Sequence, residues 1–219
     1  MLSRTTVSLA VLGVVAAAGT AVYVATRAET GPRPGAFRGE PTSALYAPIA
    51  SREDDPRPLS QGEVFGPATA RLTAETVTME RRGVAASADC AQALWGSGTV
   101  DAAAGCSQVV RAGFTSADGR VSGQYAVFDM PDGPAADRLV AALDPKRGDG
   151  FLRPAPGQPE SFDAARSRAD ARALGHFVVV NWVGPVDARP AADLTLPQVA
   201  LEGVAAFAQR RVLDAAVLP

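Results

Sequence analysis

Apolar positions are spread unevenly along this chain. Residues 6–26, TVSLAVLGVVAAAGTAVYVAT, form an uncharged apolar run closed by Arg4 in front and Arg27 behind. At about 1.5 Å rise per residue, a helix of this length spans the roughly 30 Å hydrocarbon core of a bilayer. Inside that core every backbone group must bond within its own segment, so a helix is the form available. The run predicts an N-terminal transmembrane helix, or signal anchor, after a short cytoplasmic stub at 1–5. Ala16-Ala17-Ala18 supplies the small residues a signal peptidase requires, which keeps a cleaved, secreted form as the alternative. The apolar character continues through Val22, Tyr23, Val24 and Ala25, and that length favours retention.

Periodicity is lost over residues 27–61. Pro32, Pro34, Pro41, Pro48, Pro56 and Pro58 hold this stretch extended, and it reads as a Pro/Gly-rich linker on which Leu45, Tyr46 and Ile49 have local docking capacity. A folded domain is expected over 62–215. Residues 76–84 read as a strand, and 88–95 as a short helix capped by Ser87 or Asp89. Residues 106–115 and 120–130 flank Ser116-Ala117-Asp118-Gly119, a hairpin signal. Residues 134–143 form an amphipathic helix with proline in its first turn. Residues 144–160 read as a loop. In 161–174, Arg166, Arg168, Asp170 and Arg172 alternate with small residues, a strand period, although Ser161 and Gly175 also frame a helix. The strand is preferred, paired through Gly175 with the apolar run 176–183. Residues 194–213 read as one helix whose core face is Leu201, Val204, Ala205, Ala208 and Val212. Hairpins separated by helices predict an α+β domain, with an antiparallel sheet covered by helices on one face in the style of ferredoxin-like folds.

Charge then narrows the function classes. The formal net charge is −2, and no basic block stands out, so nucleic acid is not an expected partner. Arg27, Arg33 and Arg38 follow the apolar run, so the positive-inside rule does not by itself favour export of the C-terminal part. The cysteines do. The chain has two, Cys90 and Cys106, and an even pair in an exported bacterial domain reads as a disulfide. Two buried free thiols are the alternative.

Candidate chemistry is sparse. His176 is the one histidine, so a multi-histidine zinc site is not expected, and a Ser-His-Asp arrangement would have to use it as base. An exposed turn position is its simpler reading. Gly96-Ser97-Gly98 lacks the lysine and the spacing of a phosphate loop or dinucleotide fingerprint, and no cofactor is expected. Asp129 and Asp132 flank Met130-Pro131, and Glu53-Asp54-Asp55 lies in the linker; both groups read as solvated turns. Arg111 interrupts an apolar strand and calls for a buried carboxylate or a ligand groove. Arg111, Trp95 and His176 are therefore the candidate contacts to a ligand or partner.

The segment Gly105-Cys106-Ser107-Gln108-Val109-Val110-Arg111-Ala112, with Cys90 before it and a hairpin and an Ala-rich helix behind Asp132, resembles uncharacterised exported or single-pass membrane-anchored proteins of high-GC, actinomycete-type bacteria. The resemblance implies a location and no mechanism. Taken together, the expectation is a domain held outside the cytoplasm by a cell-membrane anchor, with the bilayer and another envelope protein as partners. Its work would be binding, scaffolding or sensing rather than catalysis. A cell-envelope enzyme using clustered carboxylates and Arg111 is the competing class.

Overall fold

A computed structural model describes residues 30–187 and 193–217. The chain divides into Met1–Thr30 and Gly31–Pro219. The expected transmembrane helix at 6–26 and its stub at 1–5 lie outside the described residues. Among the described residues, no helix is long and apolar enough to cross a membrane.

Among the described residues, nine strands form in chain order: β1 (Ala36–Glu40), β2 (Arg71–Ala74), β3 (Val77–Ser87), β4 (Leu94–Trp95), β5 (Gln108–Ser116), β6 (Val121–Asp129), β7 (Phe151–Leu152), β8 (Arg168–Leu174) and β9 (Phe177–Pro185). Seven make one sheet in the order β1-β8-β9-β6-β5-β3-β2, and β4 with β7 make a two-stranded ribbon. The Asp118-Gly119 turn joins β5 to β6. Gly119 sits at φ +70°, and the Ser116 hydroxyl accepts from the Val121 N–H at 2.9 Å, so the short polar turn satisfies its own backbone. The alternating segment at 168–174 is a strand, and Gly175, at φ +67°, turns it into β9.

The expected α+β sandwich is corrected by this architecture. The domain is mostly sheet with few helices, and the sheet curls into a half-barrel. It is also mixed, because β1 runs parallel to β8 while the other sheet pairings are antiparallel. Helices lie on both faces rather than one. The reason is visible in β6 and β9, where every position is buried. Strands that are apolar on both sides need cover on both sides. One face carries Ala126, Phe128, Ala171, Val178, Val180 and Trp182, covered by helix residues Ala136, Leu139 and Val140. The opposite face carries Phe114, Tyr125, Val127, Val179 and Val183 beneath Leu201, Val204 and Phe207.

The helices are α1 (Gln61–Val64), α2 (Ser97–Ala102), α3 (Gly133–Ala142), α4 (Thr195–Glu202) and α5 (Ala206–Val217). The Asp132 side chain caps α3 by accepting from the Ala135 N–H at 2.7 Å, with Pro134 in the first turn. The single helix expected at 194–213 is broken by a 3-10 turn at Gly203–Ala205, which separates α4 from α5. The helix expected at 88–95 shrinks to a 3-10 turn, Cys90–Ala93, followed by β4. Leu94 and Trp95 are buried and pair with Leu152 and Phe151, so tertiary pairing overrides the local helical preference. That pairing also places β7 inside the expected loop at 144–160.

Residues 31–61, expected as part of the linker, fold with the domain. Ala36–Glu40 forms the edge strand of the sheet, Ala44–Ile49 forms a 3-10 helix that buries Ile49, and Leu59 is buried. Prolines at this density suit an edge position, where one side of the backbone is unpaired.

Candidate functional site

The residues singled out in the sequence occupy separate places. Cys90 and Cys106 are joined in a disulfide that ties the 3-10 turn before β4 to the approach of β5. Trp95 is a core residue, 3% exposed; its indole N–H donates to the Pro32 carbonyl at 3.3 Å, and the Arg33 guanidinium lies 4.9 Å from its ring. It clasps the first residues of the domain. Among the described residues, Arg111 pairs with no carboxylate. It donates to the carbonyls of Arg153 at 3.1 Å and Pro154 at 3.2 Å, holding that loop against β5. Burial and the neighbouring Arg153 charge press its pKa below the usual arginine range.

His176 is fully buried, which corrects the expected exposed turn. Its Nδ1 lies 3.0 Å from Asp129, and its Nε2 makes a 3.6 Å ion-pair contact with Asp55. Asp55 in turn receives Arg211 at 2.9 Å, and Arg211 reaches Glu63 at 2.6 Å. Asp129 also accepts from the Ser107 hydroxyl at 2.8 Å and from Arg52 Nε at 3.2 Å. Burial opposes the charge on His176, but the Asp129 and Asp55 carboxylates outweigh it and raise its pKa. Burial likewise opposes ionised Asp55 and Asp129. His176 outweighs it in both, joined by Arg211 at Asp55 and by Ser107 at Asp129, and both pKa values fall. Ser107 bonds Asp129 rather than the imidazole, so no Ser-His-Asp relay is assembled. This is a buried ionic lattice that holds residues 52–63, the end of β6, the β8–β9 turn and α5 together. Neither Asp55 nor Asp129 is the solvated turn residue expected. Among the described residues, no hydrogen bond, ion pair or ring contact joins any two of Trp95, Arg111 and His176.

A different constellation forms a groove where helix cover gives way to bare sheet. Along β8, Ala169, Ala171 and Ala173 face the α3 side and are buried. Arg168, Asp170 and Arg172 therefore face the α4 side, two residues apart. The parallel register sets Arg38 of β1 beside Asp170 and Glu40 beside Arg172. Along α4, Thr195, Gln198, Val199 and Glu202 form the opposite wall at helical spacing. The cavity between them measures about 390 Å3.

Its polar groups are incompletely satisfied. Arg172 pairs with Glu202, and Arg38 with Glu40. Asn181, opposite Asp170 in the β8–β9 register, gives its side-chain N–H groups to the Gln198 carbonyl at 2.8 Å and to Glu202 at 2.6 Å. Both partners are acceptors, so the amide orientation is set, and the Asn181 Oδ1 is left without a donor. The Gln198 Nε2 is left without an acceptor. Asn181 is 1% exposed and Gln198 4%. Behind them Tyr125 is buried, and burial, then the charge of Glu202, pushes its phenol pKa upward. Buried orphan polar atoms are uncommon; Asn181 Oδ1 and Gln198 Nε2 are both closed off from the cavity's open space. The sequence carried one sign of this site, the alternation at 168–172; Arg38 and Glu40 were hidden in an apparent linker, and Asn181 in an apolar run.

No known protein family, curated protein or solved structure matches this chain.

Proposed function

We propose that this protein is a membrane-anchored domain outside the cytoplasm that binds a small polar ligand in the groove between β8 and α4. The carrying observation is an open cavity of about 390 Å3 whose lining includes two oppositely charged side chains, Arg168 and Asp170, that make no ion pair among the described residues. This volume falls in the range of small-molecule sites. The disulfide supports an oxidising compartment, and the 6–26 run supports the anchor. Binding is preferred over catalysis because His176, the one histidine, is sealed in an ionic lattice away from this cavity.

The test is a thermal-shift screen of the full-length protein in detergent against sugars, phosphates, dicarboxylates, polyamines and zwitterions. At least one class should raise the melting temperature of the wild-type protein and not of the Gln198→Met variant. If no class raises it, the binding reading is wrong.

A further inference from the structure

The groove's charges are balanced as well as dense. Arg38, Arg168 and Arg172 face Glu40, Asp170 and Glu202. A polyanion entering this space would meet the carboxylates, and a polycation would meet the guanidinium groups. A neutral sugar would hydrogen-bond to both sets but bring no charge to either. The complementary ligand carries one charge of each sign on a small frame.

Two of these residues have capacity to spare. Arg172 and Glu202 are committed to each other, and Arg38 to Glu40. Arg168 and Asp170 make no ion pair among the described residues; Arg168 acts on Asp193 only through its field. They stand two positions apart on one face of β8, one cation and one anion. Both line the cavity, with Gln198 on the facing wall. The site therefore presents a carboxylate suited to an ammonium and a guanidinium suited to a carboxylate.

We infer that the groove binds a small α-amino-acid-type zwitterion. Its ammonium donates to Asp170, and its carboxylate accepts from Arg168. This rests on the binding reading above and names its ligand class. An ammonium bearing N–H groups is required, because the Asp170 carboxylate is an acceptor and a methylated nitrogen offers it no hydrogen bond.

Calorimetry on the full-length protein in detergent tests this with a panel of free amino acids, their N-acetyl and amide derivatives, and glycine betaine. At least one free amino acid should bind. Blocking either end, or replacing the N–H donors with methyl groups as in betaine, should weaken binding about tenfold or more. Asp170→Asn and Arg168→Gln, both at partly exposed strand positions, should each cost a similar factor while thermal unfolding stays cooperative. Equal binding of blocked and free forms, or unchanged affinity in both variants, overturns the inference. If a sugar or phosphate binds in the groove and the zwitterions do not, the ligand class is wrong and the binding reading stands. If nothing in either panel binds, both fall.

Discussion

His176 sits between Asp129 and Asp55, so its proton belongs to the fold. The sign of the pH dependence follows. Its folded pKa is raised above the ordinary histidine value of about 6.5, so its contribution is complete below that value and is lost as pH rises through the higher folded one. Asp55 and Asp129 are lowered, so their contributions are complete above about pH 4 and are lost as pH falls through the folded values. Stability should peak between these limits, and urea unfolding across a pH series should show decline on both sides. His176→Gln should cost about 3 kcal/mol, because two buried carboxylates lose their shared cation, and it should flatten the alkaline limb. A variant that keeps the wild-type alkaline decline would show that another group controls it. Arg111 behaves differently: its partners are two backbone carbonyls, so its role in this fold is to hold a loop.

Among elements, the segment from Cys90 to Cys106 shows how local preference yields to packing. Alanines around Cys90 favour a helix, yet Leu94 and Trp95 gain more by pairing with Phe151 and Leu152 and filling the core. Phe151 also stacks edge-on against Trp182 at 4.8 Å, so the small ribbon is packed onto the main sheet. The disulfide spans a sequence separation of 16 and closes this irregular stretch. Loop closure of that size stabilises by about 3 kcal/mol in the chain-entropy model. Replacing both cysteines by serine should lower the unfolding free energy by about that amount. Maleimide added to unreduced, freshly isolated protein should label neither Cys90 nor Cys106; rapid labelling of both would remove the bond.

For the whole molecule, the proposed location is open to a direct test. The proposed arrangement makes the protein resist alkaline carbonate extraction, with its C-terminal domain open to protease added to intact spheroplasts. Recovery in the soluble fraction would leave the cleaved form instead, and protection from protease would place the domain inside. The groove's wall from β1 is built by residues that follow the proposed anchor closely in sequence.

Much of this architecture was legible in local pattern. The Asp118-Gly119 hairpin, the capped helix after Asp132 and the alternating strand at 168–174 each depend on neighbours a few residues apart. With two cysteines in the chain, their pairing needed no geometry. What the local pattern left open required partners far away. Asp55 and Arg211 meet across 156 positions, and nothing near Asp55 distinguishes it from a solvated turn acid. The strand at Ala36–Glu40 carries no strong strand period of its own; its pairing is supplied by the parallel edge of β8. The groove has the same origin, because its two charged rows come from strands more than a hundred residues apart in sequence and its wall from a third segment. A sequence by itself records which side chains prefer burial and which turns are allowed. Which charges face each other, and which polar atoms are left wanting a partner, is decided when the sheet closes and distant segments come together.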